Sequence, residues 1–308
     1  KTIDNELREI QEYEPGSWIN VVEPTSKEIA YLKETFAVEE DFIKAAMDLE
    51  EAPHIDTEED QILIVVDIPI IEKEDGKEGA LYTTIPLAII LLKKCIITVC
   101  REDETFMQEF LNNRIKGFYT QYKTRFVLQI LYRNSTKYLQ YLRLIDKTSD
   151  RMEHALRDSI GNKELLDFMR LEKSLVYLSS SLHANGVLLE RLMRNAQITN
   201  YPEDAELLED VIIENKQANE MAKLYSSIVT STTETFATII SNNQNNVMKI
   251  LTTVTIVMVI PQIVGGLMGM NVILPLSSNS PWSFWLIVAL TVVFSLIAIW
   301  ILWRKKML

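Results

Sequence analysis

Two regimes of hydrophobic patterning divide the chain. Up to about residue 110, apolar residues fall in short runs and alternations; beyond it they recur every three or four positions. In the first regime SWINVVEP (17–24) predicts a short strand ended by Pro24, and QILIVVDIP (61–69) a β-rich run. GALYTTIPLAIILLKKCIITVC (79–100) predicts further strands, with Leu92-Lys93-Lys94-Cys95 as a hairpin turn. TSKEIAYLKETF (25–36) opens on Thr25 with Glu28 three residues later, a capping-box spacing before an amphipathic helix. EEDFIKAAMDLEE (39–51) predicts a second helix that stops before Pro53, and EKEDGKEG (72–79) a charged loop. These elements make an α/β domain of residues 1–110.

Residues 111–249 read as helical. Leu131, Tyr138, Leu142, Ile145, Met152 and Leu156 form one series at heptad-like spacing. Leu175, Leu178, Leu182, Leu189 and Leu192 form a second. A third runs Val211, Ala218, Ala222, Tyr225, Val229, Thr232, Phe236, Ile239, with small and polar residues on its seam. That seam suits close helix approach or a wet axis better than a dry leucine core. Neither Gly nor Pro occurs between Asp204 and Met248, so this helix is expected to run unbroken toward the C-terminal third.

Residues 250–270 and 282–303 are apolar runs of the length needed to cross a hydrocarbon core of about 30 Å. Trp282, Trp285, Trp300 and Trp303 lie near the ends of the second, as an aromatic belt would. Charge sharpens this division. Neither Asp, Glu, Lys nor Arg occurs between Lys249 and Arg304. With all 43 acidic residues but only 28 of the 31 basic ones, residues 1–249 carry a net −15. The whole-chain net of −12 argues against a nucleic-acid partner. Lys249 flanks the first run and Arg304, Lys305 and Lys306 the second. The positive-inside rule therefore puts both outer ends in the cytoplasm and the 272–281 loop outside. The opening KTIDNELREIQEYE has no apolar h-region, which agrees with a body retained in the cytoplasm. The expected protein is an α+β membrane protein of the cell (inner or plasma) membrane. It has an N-terminal cytoplasmic α/β domain, a long helical stalk and a C-terminal two-helix transmembrane hairpin. The first transmembrane helix spans 250–271 and the second 282–303, followed by a basic cytoplasmic tail, 304–308.

Enzymatic chemistry finds no support: there is neither a phosphate-binding glycine loop nor a nucleophile–base spacing. His54, His154 and His183 have no metal-ligand spacing. Cys95 and Cys100, five apart on a strand, should face opposite sides as reduced core thiols.

The two spans differ. The second is uniformly Val, Ile, Leu, Phe and Trp. The first carries Thr252, Thr253, Thr255, Pro261, Gln262, Gly265 and Gly266. Every third or fourth residue gives a charge-free stripe that alternates polar and apolar: Asn245, Met248, Leu251 or Thr252, Thr255, Val259 with Met258 beside it, Gln262, Gly266. Such a stripe lines a pore or glues helices together, and periodicity alone does not choose. Two spans cannot enclose a pore, so conduction requires several copies.

The C-terminal third resembles the CorA-type magnesium channels and transporters. The resemblance rests on the Gly269-Met270-Asn271 triplet at the outer end of the first of two C-terminal spans, the run NNVMKILT (245–252), Pro261, and the basic WRKKML tail. It extends more loosely to Trp18, Pro24, the β-rich acidic domain and the long helices. It implies a homopentamer whose long stalk helix continues into a pore-lining span, and whose cargo is Mg2+. Mg2+ gives up its waters reluctantly. A ring of Asn271 amides, one per subunit, would accept hydrogen bonds from the ion's waters without binding it too tightly to release. Gly269 allows close backbone approach, and Met270 packs the turn. Below them Gln262 and Thr255 would hold hydrated ions. Leu251, Met248 and Val259 or Met258 would form apolar constrictions, and Asn245 a second amide ring. The resemblance also implies closure by cytosolic Mg2+ held between subunits, at Asp210 in LLEDVIIEN (207–215) and at Glu72 of the neighbour. Glu234 would attract ions below the membrane.

Two departures stand out. Pro261 lies one residue nearer the triplet than in the family pattern. The outer loop VILPLSSNSPW (272–282) lacks the acidic residues that would concentrate cations. The leading expectation is passive, potential-driven Mg2+ uptake. The alternatives are transport of Co2+, Ni2+ or Zn2+, or a non-conducting membrane-anchored sensor or scaffold. The absence of His and Cys along the path disfavours Zn2+.

Overall fold

The computed structural model describes residues 1–3, 6–58, 60–72, 80–102, 105–115, 117–158, 162–270 and 281–305. Two compact units divide the chain, Lys1–Thr233 and Glu234–Leu308.

In the first unit a five-stranded sheet is built from β3 (Ser17–Val22), β4 (His54–Glu58), β5 (Gln61–Glu72), β6 (Leu81–Leu91) and β7 (Cys95–Cys100), in the order β3-β7-β6-β5-β4. A small antiparallel pair, β1 (Thr2–Ile3) and β2 (Glu6–Leu7), precedes it. β3 runs parallel to β7; every other pairing is antiparallel. β5 and β6 are buried on both faces, which is why they read as nearly continuous apolar runs. Ile64, Val66, Ile68 and Ile70 face one core, while Leu63 and Val65 face the other. Cys100 joins the first core and Cys95 the second, on opposite faces of β7 as the spacing predicts.

One face is covered by α1 (Ser26–Phe36) and α2 (Glu40–Ala45). Thr25 caps α1: its hydroxyl accepts from the Glu28 N–H, and the Glu28 carboxylate accepts from the Thr25 N–H, completing the predicted capping box. α2 is shorter than the 39–51 expected. Its last turn tightens where the Met47 and Asp48 amides both donate to the Lys44 carbonyl. The Asp48 carboxylate then caps the Glu50 amide outside the helix.

The other face is covered by α3 (Thr105–Leu111), α4 (Lys123–Asp158), α5 (Asn162–Met193) and the first part of α6 (Pro202–Met268). Trp18 of β3 packs edge-on against Phe110 and Phe126, and its indole N–H donates to Thr98. Leu131, Leu189, Leu192 and Val211 of the heptad-like series join this core, and Tyr138, Leu142, Ile145, Leu175, Leu178, Leu182, Ala218 and Ala222 are buried as well. A glycine of α5 lets α6 approach closely. The Asn215 amide of α6 donates to the Leu182 carbonyl, and a Cβ added at Gly186 of α5 would meet it at 3.3 Å.

β5 and β6 each contain a proline, and each sits where a neighbouring strand has ended. β4 pairs only with residues 61–65 of β5, leaving Pro69 beyond it. β7 pairs only with 87–91 of β6, leaving Pro86 beyond it. Neither missing N–H costs a ladder bond.

The second unit holds the C-terminal part of α6 and α7 (Pro281–Arg304). Both helices are long and apolar enough to cross a membrane. α6 is continuous for 67 residues, through Pro261.

Candidate functional site

The C-terminal part of α6 presents the predicted stripe as one face. At 3.6 residues per turn, Asn245, Met248, Leu251, Thr255, Val259, Gln262 and Gly266 fall within an arc of roughly 120°, with Met258 at its margin. All are exposed. Met248, Leu251 and Met258 are more than half exposed, at 58%, 57% and 62%, so this apolar surface is left open by the chain itself. The Thr255 hydroxyl donates to the Leu251 carbonyl at 2.8 Å. Its proton is thereby committed inside the helix, and only its oxygen lone pairs face outward. A hydrated cation offers water protons, so an acceptor-only surface suits it.

The stripe is wider at its start than the sequence reading held. Asn242, Asn245, Asn246, Met248, Lys249 and Thr252 line one shallow concavity. Asn242 and Asn246 join Asn245 there as amide groups. The signal was visible in SNNQNN (241–246), where four asparagines, poor helix formers, sit inside a helix.

At the other end, the Gly269 amide donates to the Gly265 carbonyl at 3.0 Å, and the Met270 amide to the Leu267 carbonyl at 3.4 Å. The helix thus tightens into its last turn at the triplet. A Cβ at Gly269 would meet the Gly265 carbonyl oxygen at 3.4 Å, an ordinary contact. Gly265 and Gly266 have nothing within 4 Å of theirs. Small size at these positions is therefore not demanded by the chain's own packing; it leaves room for something outside it. Asn271 lies outside the described residues, as does the loop through residue 280.

The three acids singled out lie apart in kind. Asp210 is exposed on α6, Glu234 is exposed on α6, and Glu72 is exposed at the last residue of β5. Among the described residues of one chain, no three His, Cys, Asp or Glu side chains gather to hold a metal. Exposed carboxylates suit Mg2+, which keeps several waters and takes one or two carboxylates. Such a site would have to be completed by a second chain.

Sequence reasoning missed a buried polar network at β5. Beyond the end of β4, Asn185 of α5 takes the place of a neighbouring strand. Its Oδ1 accepts from the Asp67 N–H at 3.0 Å and its Nδ2 donates to the Asp67 carbonyl at 2.9 Å. Asn134 and the Tyr138 hydroxyl of α4 donate to the same carbonyl, at 2.8 and 3.2 Å. Burial pushes the Asp67 carboxyl up to about 6, against the opposing effect of a hydrogen bond from Ser181. Burial and the neighbouring Asp67 charge raise the Tyr138 phenol well above its usual range. Asn134 and Asn185 sit inside helical patterns as if they were surface residues, so the sequence offered only their coincidence with apolar faces.

The chain thus combines an α/β body with two helices long and apolar enough to cross a membrane, the 67-residue α6 and α7, and α6 bears a charge-free polar stripe. A profile of the CorA-like Mg2+ transporter family matches residues 14–306, and the chain belongs to that family. It is 27% identical over 298 residues to the cobalt/magnesium transport protein CorA of Methanocaldococcus jannaschii, covering 94% of this chain and 90% of that one. The complete structure of the CorA magnesium transporter from M. jannaschii superposes with a TM-score of 0.81 at 25% identity, over 97% of this chain and 93% of that one. The full-length CmaX structure shares the fold, with a TM-score of 0.71 at 16% identity over 94% and 87% of the two chains. The family is one of transporters, not of enzymes.

Proposed function

We propose that this chain is one protomer of a homopentameric channel that passes Mg2+ down the membrane potential. Its pore is lined by α6 and its outer mouth is ringed by Asn271. The observation that carries the reading is the exposed, charge-free face of α6, on which polar and apolar positions alternate from Asn245 to Gly266. The Thr255 hydroxyl proton is spent within α6, which leaves its oxygen as an acceptor for the waters of a hydrated ion. Met248, Leu251 and Val259, with Met258 at the margin, supply apolar constrictions; Asn245, Thr255 and Gln262 supply acceptors for a hydrated ion. Gly269 and Met270 set the turn that presents the Asn271 amide.

In this reading residues 1–249 and the tail from Arg304 are cytoplasmic, and the 272–281 loop faces outward. Mg2+ is both cargo and regulator: Asp210 of one protomer and Glu72 of its neighbour hold it between them, and Glu234 draws cations toward the pore. Bound dications bridge carboxylates that otherwise repel, which biases the population toward closed. Co2+ is a second cargo, a reading favoured by the name of the M. jannaschii relative.

The test is Mg2+ flux into proteoliposomes under an imposed potential, for the wild type and Asn271→Ala, with Co2+, Ni2+ and Zn2+ as competitors. Flux in the wild type and its loss in the variant are expected. Equal flux in both would remove Asn271 from the filter; zinc flux without Mg2+ flux would replace the cargo.

A further inference from the structure

We infer that the cavity where α4 and α6 begin binds a nucleotide, with its phosphates at the start of α4 and its base among three tyrosine rings. The cavity lies wholly within Lys1–Thr233 and holds about 710 Å3, room for a ligand of that size. Its α4 side favours an anion. α4 runs for 36 residues without an acid in its first turn. Phe126 is the first residue there whose N–H finds a carbonyl, that of Tyr122. Among the described residues, the N–H groups of Lys123, Thr124 and Arg125 have no backbone partner, and all three residues line the cavity. The Lys123 ammonium is committed elsewhere, to the Leu92 and Lys93 carbonyls. The Arg125 side chain is 44% exposed, and its partner among the described residues is Asp204 at 3.5 Å, too long for a charge-assisted hydrogen bond.

The α6 side is the reverse. Glu203 and Asp204 stand in its first turn and repel phosphate, which fixes the direction of the ligand. The Asp204 side chain is only 7% exposed, yet its carboxylate accepts no hydrogen bond among the described residues; Arg125 acts on it by charge alone. A buried carboxylate in that state needs donors, and it lines the cavity. The amino group of a nucleobase supplies them. Tyr119, Tyr122 and Tyr201 provide the rest of the lining that the base requires. Tyr119 and Tyr122 meet edge to face at 5.6 Å, and Tyr122 and Tyr201 are each 62% exposed. Such rings stack bases. An organic cation would suit the rings and Asp204 but leave the α4 N–H groups and Arg125 unmet. Inorganic phosphate would do the opposite. A nucleotide satisfies both ends.

The experiment is equilibrium dialysis of the full chain in detergent micelles against radiolabelled ATP and GTP, with a chelator present so that divalent ions do not contribute. Saturable binding of at least one of the two is expected. Arg125→Gln should weaken it by about tenfold. Tyr201→Ala should weaken it by at least about fivefold, while Tyr201→Phe keeps it, which separates loss of the ring from misfolding. Asp204→Asn should change the ratio of ATP to GTP affinity, because its amide offers the base a donor where the carboxylate offers only acceptors. The absence of saturable binding below a Kd of about 1 mM would overturn the inference, whether the cavity is closed by another subunit or simply unused. Binding that Arg125→Gln and Tyr201→Ala both leave unchanged would overturn it too. Inorganic triphosphate competing as well as the nucleotide would reduce the cavity to an anion site and remove the base from the reading.

Discussion

Asp67→Asn should make the protein more stable at neutral pH, although it removes a charged residue that hydrogen-bonds. The Asp67 carboxyl is held at about 6 in the folded chain against an ordinary 3.8, and burial is the main cause. A rise from 3.8 to about 6 corresponds to about 3 kcal/mol. The sign follows from proton counting. Between pH 3.8 and about 6 the folded chain keeps a proton that the unfolded chain has released. Stability therefore falls as pH rises through that window and is flat above it. Below pH 3.8 both states are protonated and the penalty is absent. Asn has the same shape, carries no charge, and its amide oxygen still accepts from Ser181. At pH 7.5 the variant should gain up to about 3 kcal/mol; near pH 4 it should match the wild type. Denaturant unfolding of the purified protein at pH 4, 5, 6 and 7.5 measures both. Parallel profiles across the window, or a variant less stable at pH 7.5, would refute the buried-charge reasoning.

Asn185→Ala removes both side-chain bonds to the Asp67 backbone in a buried place and should cost about 2–4 kcal/mol, read from the same unfolding curves. Thr255→Val keeps the shape of the side chain but deletes its acceptor. One lost bond to the ion's waters, about 1 kcal/mol, should slow Mg2+ flux about fivefold in a stopped-flow dye assay while thermal stability stays put. Paired Asp210→Asn/Glu72→Gln should leave flux less sensitive to Mg2+ loaded inside the vesicles; unchanged inhibition would remove these acids from regulation. Glu40→Gln should matter little. Its carboxyl is drawn down to about 2 by hydrogen bonds from Lys44 and Lys33, yet these are surface pairs open to solvent, so unfolding curves should barely move.

What could be read from the sequence was set by how strongly burial and capping write themselves into local pattern. β5 and β6 are buried on both faces, and their continuous apolar runs made them visible. The α1 start was visible because Thr25 and Glu28 cap it by side-chain chemistry alone. β4, in contrast, is the polar edge segment HIDTE with no alternation to follow, and it exists because β5 offers it a ladder. That β5 continues to Glu72, past Pro69, depends on where β4 ends. Two residues on distant helices, Asn134 and Asn185, then serve that open edge. No local window contains such information. The polar stripe of α6 is different again. Its periodicity was evident, but pore lining and helix glue share it. The Thr255 hydroxyl bonds within its own helix and the space around Gly265 and Gly266 is open, and a single chain leaves the partner copies to be supplied.

The central claim, passive Mg2+ conduction through assembled α6 helices, is tested most directly by current in a planar bilayer under a Mg2+ gradient. The account predicts a current that reverses at the Mg2+ equilibrium potential and is lost in Asn271→Ala. A silent bilayer despite inserted protein, or a reversal that ignores the Mg2+ gradient, would contradict it.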